Sequence, residues 1–407
     1  MVVVGSVGKT STKVAIGTVL SDFIRVRLHN GNHNSELSAP LAILGVAYPE
    51  NIKSLGQWWQ VFRAVRKRIK QPADVDVVVQ ELGTDRVGQI PHFGKYLQPD
   101  IAVITAVSPE HMEYFKTLDA VAAEELSAAN FSKMAIINRD DIAGEYAKDI
   151  TNGNIRTYGT TSTAEYRFET SDHSILDGFE GMFVAPDGSS VTSSLSVVGE
   201  HSIRSVVAAG AVGVEFGISP QDVAASMKKI KPVAGRMNIL KGVEGSTLID
   251  DTYNSSPLAV VSALRTLYEI DSPQRIAVLG SMNELGDSSA AEHEAVGKLC
   301  DYSLLSHVIT VGNEAAKYLA PSAQAAGCQV TSFKSSLEAG AYLHKLIEPG
   351  AVVLFKGSQG AIFLEEAVKI VLHSSDDTEN LVRQSADWQA KKQAYFDSIS
   401  AVSESDD

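Results

Sequence analysis

The chain has 407 residues, 44% hydrophobic and 21% charged, with two cysteines and a formal net charge of −14. That length predicts two or three hydrophobic cores, and the composition excludes a mostly disordered chain. No apolar run approaches the ~18 residues of a membrane span, the start MVVVGSVGKTSTK lacks a signal-peptide layout, and the acidic balance disfavours nonspecific nucleic-acid binding. Cys300 and Cys328 alone cannot build a disulfide framework or a four-cysteine zinc site. The expectation is a cytoplasmic protein with no nucleic-acid partner and no membrane insertion.

The first third alternates short β-branched runs with helical patterns. VVV (2–4) precedes a helix over 9 to about 20, and VDVVVQ (75–80), IAVITAV (101–107) and MAIIN (134–138) are further strands. An amphipathic stretch over 118–130 lies between the last two. This rhythm predicts a mostly parallel sheet covered by helices. From 154 to 198 the texture turns to Gly, Ser, Thr and alternating apolar residues, with a turn at Asp187-Gly188. Strands and hairpins are expected there, as an antiparallel extension of the first sheet. Helices over 203–216 and 220–229 close a domain spanning 1–234. A second α/β rhythm occupies 235–373, with strands at 246–251, 275–281, 307–312, 329–333 and 351–357 and helices around 258–268 and 290–299. That pattern predicts a doubly wound, Rossmann-like domain. Residues 374–407 turn polar and acidic, predicting a solvated terminal helix with a ragged end, SESDD.

The strongest local signal is Gly5-Ser6-Val7-Gly8-Lys9-Thr10, directly after a strand and opening a helix. Glycines let backbone N–H groups approach phosphate oxygens, the helix N-terminus favours negative charge, and lysine supplies a cation. The spacing is GxxGKT, with Val3 at the first glycine position of the general GxxxxGK[ST] pattern. Glu81 closes a strand on the rim where a magnesium ligand would sit, although a strand-end acid is as often merely solvated. His111, in SPEHMEY, follows the strand 101–107 on that same rim, and a lone histidine is more often structural.

In order along the chain, GSVGKTST, NHNSELSAP, ELG, SPEHMEYF, NRDD, GEHS, GRM, IDDTYNSSP, LGSMNELG and KGSQG resemble the Mur ligases. IDDTYNSSP, LGSMNELG with His293, and KGSQG are most similar to the branch that adds D-alanyl-D-alanine to a UDP-muramoyl-tripeptide. The resemblance implies a central P-loop ATPase domain and a C-terminal dinucleotide-fold domain. It also implies an N-terminal UDP-sugar domain, which is expected to be missing because the chain begins just before the phosphate loop. Weak UDP affinity follows, or a partner supplying that domain's contacts.

The implied reaction is ATP-dependent amide ligation through an acyl phosphate, with Mg²⁺, on a peptide precursor and an amino acid or dipeptide. By resemblance, Gly5, Ser6, Gly8, Lys9, Thr10 and Ser11 hold the phosphates, and Lys9 reaches the β/γ-phosphates. Thr10 and Glu81 take one Mg²⁺ and His111 a second. Glu125 stands where many members carry a carbamylated lysine, so it is expected to supply an anionic oxygen pair to that second metal. Arg236 and Asp251 are expected at the ribose and phosphates, Ser202 near adenine, Asn34 and Asn254 at substrate, and closure about a hinge near 232–235. His293 is expected to be structural. The family pattern would place Asn at Val7, Ser35, Ser202 and Ser205, Gly at Ser38 and Arg at Gln359, so altered adenine contacts are expected. Two alternatives stand beside this reading: a Mur-like ligase for another acceptor, and a non-catalytic ATP-binding regulatory or scaffold module.

Overall fold

The computed structural model describes residues 1–29 and 33–403. Asn32 of the NHNSELSAP segment and the tail beyond Ser403 lie outside the described residues. Contacts divide the chain into two units. The first comprises Met1–Ser174, Gly178–Ser196 and His201–Lys231, and the second comprises Ile175–Asp177, Val197–Glu200 and everything from Pro232 onward.

The first unit is built on a nine-stranded sheet: β1 (Val2–Val4), β2 (Val26–Leu28), β3 (Val77–Glu81), β4 (Ile101–Ile104), β5 (Met134–Asn138), β6 (Ile155–Gly159), β7 (Tyr166–Ser174), β8 (Gly178–Val184) and β9 (Ser190–Leu195), in the order β2-β3-β1-β4-β5-β6-β7-β8-β9. β1 lies between β3 and β4 and parallel to both, with Val3 opposite Glu81 on one side and Val103 on the other. All three valines of β1 are buried, as a central parallel strand covered on both faces requires. On one face Val2, Val4, Ala102 and Ile104 pack with Phe93, Val121 and Leu126. Leu126 comes from the helix Leu118–Asn130, whose limits are those its apolar period predicts.

The antiparallel extension expected over 154–198 starts later than the sequence indicates. β6 runs parallel to β5, and β7 parallel to β6. Only the β7-β8-β9 meander is antiparallel, with Gly188 (φ +82°) in its second turn. Strand direction is set by the path of the connection, which runs through the 3₁₀ turn Gly144–Asp149 before β6. The helix Glu200–Glu215 begins three residues before the expected start.

The second unit holds a six-stranded sheet: β10 (Asn238–Lys241), β11 (Thr247–Asp251), β12 (Arg275–Gly280), β13 (His307–Val311), β14 (Val330–Phe333) and β15 (Val352–Lys356), ordered β10-β11-β15-β12-β13-β14. β15 is inserted between β11 and β12, and all pairings are parallel except the edge strand β10. The core includes Leu248, Ile276, Val278, Val353 and Phe355 of the sheet with Leu343 and Val368 of covering helices.

The terminal segment is more than a solvated helix. Arg383 donates through Nε and Nη2 to both carboxylate oxygens of Glu365, at 2.8 and 2.6 Å. Lys392, on the helix Ala386–Ser403, reaches Glu366 at 2.5 Å and is 2% exposed. Buried charges persist only when paired and hydrogen-bonded, and here the tail supplies the partners.

Candidate functional site

The carboxyl ends of β3, β1 and β4 bring Glu81, the phosphate loop and residues 105–111 to one rim of the first sheet. Gly5 holds φ +124° and Gly8 φ +88°. A Cβ on Gly5 would stand 2.3 Å from Thr105 Oγ1 and 2.8 Å from the Ala106 nitrogen, so only glycine fits. Ser6 ties the loop to the segment after β4: its N–H donates to Ala106 O at 2.9 Å, and its Oγ accepts the Ser108 N–H at 3.0 Å. The helix Lys9–Ser21 starts at the loop with no acid in its first turn, and the first N–H groups of any helix lack helical acceptors. The result is a backbone cradle suited to anions. The Ser108 Oγ beside it is buried without a hydrogen-bond partner. Lys9 Nζ folds back over the loop, 2.5 Å from Gly5 O and 3.3 Å from Ser6 O, with Glu110 at 3.5 Å.

Two buried acids stand at this cradle with different partners. Glu81, 4% exposed, accepts from Thr10 Oγ1 at 3.1 Å and Asn34 Nδ2 at 3.3 Å, with Lys13 Nζ at 3.5 Å. A hydroxyl and a carboxylate side by side form an all-oxygen donor set that suits magnesium, which completes its shell with phosphate oxygens and water. Glu125 is buried, and its Oε2 accepts the Gly5 N–H at 2.7 Å. Burial pushes its carboxyl up to about 7, with the Lys9 charge opposing the rise and Glu110 adding to it. Glu124 is also buried but serves elsewhere: it accepts from Gly88 N, Ile90 N and Thr84 Oγ1, capping the helix Gln89–Phe93. Neither glutamate of the pair faces solvent, and Glu125 is the one on the loop.

His111 caps the short helix Met112–Phe115 in the left-handed region (φ 51°). Its Nε2 is 3.6 Å from Asp85 Oδ1 and 3.7 Å from Glu110 Oε1. Among the described residues no group of three or more His, Cys, Asp or Glu is arranged to hold a metal ion.

Three positions that depart from the family pattern have specific partners. Ser35 and Ser38 bond to one another at 2.8 Å beside the helix Ser38–Leu44, and Ser205 Oγ accepts from Thr12 Oγ1 at 3.1 Å. The NRDD residues, given no role from sequence, brace the rim. Asn138 Nδ2 donates to Thr105 O at 2.6 Å, and Arg204 pairs with Asp140 and Asp141 at 3.2 and 3.3 Å.

In the second unit Asp251 ends β11, with its Oδ1 accepting the Met237 N–H at 3.3 Å and its Oδ2 2.9 Å from Lys356 Nζ. Lys356 also donates to Asn254 O at 2.5 Å. Burial pulls this ammonium below the ordinary lysine range, with Asp251 opposing. A lysine closing an apolar strand gives no sign of this in sequence; only the neighbouring β11 supplies its partners. Asp250 accepts from Gly235 N, Thr252 N and Thr252 Oγ1, and burial pushes it up to about 6. Arg383 donates to the carbonyls of Thr252 and Tyr253, fixing the loop that carries Asn254. Arg236 lies over the Tyr253 ring at 4.2 Å, and its buried Nε has no hydrogen-bond partner, leaving a donor for an anionic ligand. His293 is fully buried. Its Nε2 accepts the Met282 N–H at 2.9 Å, its Nδ1 lies 2.8 Å from Ser289 O, and burial lowers its pKa, the pattern of a neutral structural histidine.

Two family patterns match this chain: the Mur ligase middle domain over residues 3–213, and the Mur ligase, glutamate ligase domain over 235–359. The UDP-N-acetylmuramoyl-tripeptide–D-alanyl-D-alanine ligase of Bacillus subtilis is 28% identical over 387 residues, covering 91% of this chain and 75% of the relative. The Haemophilus influenzae enzyme of the same name is 28% identical over 324 residues, covering 77% and 63%. This chain therefore spans between about three fifths and three quarters of these relatives' length. The fold is shared with MurF from Acinetobacter baumannii (TM-score 0.75, 24% identity, 93% of this chain and 76% of that one). It is shared equally with a Thermotoga maritima MurF ligase in complex with ADP (TM-score 0.74, 23% identity, 91% and 78%). The matched patterns cover more than half of the sequence and take in the phosphate-loop sheet and all six strands of the second sheet: the chain belongs to the Mur ligase family.

Proposed function

We propose that this chain is an ATP-dependent carboxylate–amine ligase that joins D-alanyl-D-alanine to a UDP-muramoyl-tripeptide. The observation that carries the reading is the convergence on one rim of a glycine-built phosphate cradle, the Thr10–Glu81 oxygen pair and His111. No helix among the described residues is long and apolar enough to cross a membrane.

Phosphates of ATP would sit on the N–H groups of Gly8, Lys9, Thr10 and Ser11, and Lys9 would swing from the loop carbonyls onto the β/γ-oxygens. Magnesium would supply charge neutralisation between the nucleotide and the acceptor carboxylate. Thr10 and Glu81 would hold it, with Asn34 fixing the Glu81 carboxylate. His111 and Glu125 are assigned to a second ion, with Glu125 acting through the loop it holds or through water. The acceptor carboxylate oxygen attacks the γ-phosphorus and ADP leaves. The amine nitrogen then attacks the acyl carbon, the bond to the phosphate oxygen breaks, and the amine gives up a proton. In the second unit Arg236 and Asp251 are assigned to the nucleotide and Asn254 to the amine. Arg383 and Lys356 position the loop that carries Asn254.

The test is product formation. Incubation with ATP, UDP-muramoyl-tripeptide and D-alanyl-D-alanine is expected to yield the UDP-muramoyl-pentapeptide by mass. Amide formation only with a different acceptor or amine in a substrate panel would move the chain to another ligase of the family.

A further inference from the structure

The connection between β2 and β3, residues 29–76, is far longer than a parallel crossover needs, and long connections usually carry function. It holds the helix Leu55–Arg68. The inner face of that helix is settled: Val61, Trp58 and Val65 pack on Leu41, Leu44, Val46 and Tyr48. Ser54 accepts the Gln57 N–H as N-cap, and Trp58 Nε1 donates to Ile52 O at 2.9 Å. The outer face is therefore presented in a fixed orientation. It carries Leu55, Trp59 and Phe62, at helical spacing, exposed by 86, 63 and 64%. Ile52 and Ile69 extend this apolar stripe at either end, also exposed.

Cations flank the stripe. Residues 51–73 contain Lys53, Arg63, Arg66, Lys67, Arg68 and Lys70 and no acid, in a chain whose net charge is −14. Arg68 is taken up by Asp74 and Pro72 O, and Arg63 lies over the Trp59 ring. Among the described residues, Lys53, Arg66, Lys67 and Lys70 make no ion pair. An exposed aromatic and aliphatic stripe edged by unpaired cations is the pattern of a helix lying in a bilayer interface. The rings and Leu55 leave water among the acyl chains while the cations meet lipid phosphates. The net charge of the chain is −14, so an anionic surface attracts this basic segment against a net repulsion of the whole. A single-stranded nucleic acid would match the cations and stack on Trp59 and Phe62 but would leave Leu55, Ile52 and Ile69 in water.

We propose that the outer face of the helix Leu55–Arg68 docks reversibly on an anionic lipid bilayer. The helix lies on the surface and does not span it, and the proposal is independent of the ligase reading. The experiment is flotation of the full chain with vesicles of mixed phosphatidylglycerol and phosphatidylcholine, beside vesicles of phosphatidylcholine alone. The anionic vesicles are expected to bind at least about a hundred-fold more strongly and to release the protein at high salt. Each neutralised cation lowers partitioning about five-fold, so R63Q/R66Q/K67Q should lose about a hundred-fold. L55Q/W59Q/F62Q should lose at least ten-fold while its melting temperature holds, because these side chains are largely exposed in the parent. Brominated lipid should quench the parent's tryptophan fluorescence and quench W59F markedly less. Equal binding to both vesicles, or binding to neither, overturns the proposal. So does a dimer that L55Q/W59Q/F62Q turns into a monomer, since that assigns the face to a second copy of the chain.

Discussion

The phosphate-loop rim of the first unit and the end of β11 in the second are both clusters of buried charge, and they differ in how those charges are partnered. In the second unit most buried charges are paired: Lys356 meets Asp251 at the end of β11, Arg383 meets Glu365 through two hydrogen bonds, and Lys392 meets Glu366, while Asp250 is held by hydrogen bonds alone and pushed up to about 6 by burial. At the loop the contacts are mostly to backbone and hydroxyl groups, from Glu125 on the Gly5 N–H at 2.7 Å to ion pairs of 3.5 Å and more. Lys9 rests on backbone carbonyls with Glu110 at 3.5 Å, His111 Nε2 lies 3.6 Å from Asp85 and 3.7 Å from Glu110, and Glu125 is held up to about 7. Matched buried pairs make a loop rigid and are costly to break. The contrast is between a cluster dominated by cation–carboxylate pairs and one dominated by backbone and hydroxyl contacts.

The sharpest way to break that comparison is to unpair each cluster in turn. Arg383→Met leaves Glu365 buried without its partner and is expected to cost about 3–5 kcal/mol of stability, read as a large fall in denaturation midpoint. A shift within experimental error would mean that the terminal segment does not brace β11. Lys9→Ala is expected to cut ATP turnover by about a hundred- to a thousandfold with little change in melting temperature. Substantial remaining turnover would remove Lys9 from the phosphates.

Glu125 sharpens the comparison through pH. Its folded-state pKa, about 7, lies above the ordinary 4.5, so the folded chain binds this proton more tightly than the unfolded one. Its contribution is fully present below pH 4.5 and is lost as pH rises through 7, by up to about 3 kcal/mol. Glu125→Gln keeps an acceptor for Gly5 and escapes that loss. Its stability relative to the parent should climb between pH 4.5 and 7 in parallel melts, and a flat difference would show that Glu125 is ionised without penalty. The same variant should lower turnover by about tenfold at limiting Mg²⁺, while the parent's rate is indifferent to bicarbonate. The smallest effect is expected at Ser205→Asn, which breaks the Thr12 contact and should change ATP affinity only a few-fold by calorimetry.

What the sequence disclosed follows the same division. The phosphate loop, the strands that end at Glu81 and before His111, and the helix Leu118–Asn130 were legible because each is a local pattern of period and punctuation. β2 and β10 were not: three and four residues (VRL and NILK) are too short for a period to show. The parallel run of β6 was hidden because pairing direction belongs to the connection. Lys356, Arg383 and Lys392 were invisible as site-bracing residues because their partners lie far away in sequence, or on another strand, and spacing carries no trace of them. The outer face of the helix Leu55–Arg68 needed the structure for another reason. Its inner face is also apolar, and only packing shows which stripe is left in water.

The central claim is that the loop rim performs ligation, and stoichiometric coupling tests it most directly. Phosphate release should be measured with UDP-muramoyl-tripeptide alone, with D-alanyl-D-alanine alone, and with both. Sustained release only when both are present, one phosphate for each amide formed, is the expected result. Nucleotide binding with no substrate-stimulated release under any of the three conditions would contradict the account and leave a binding module in its place.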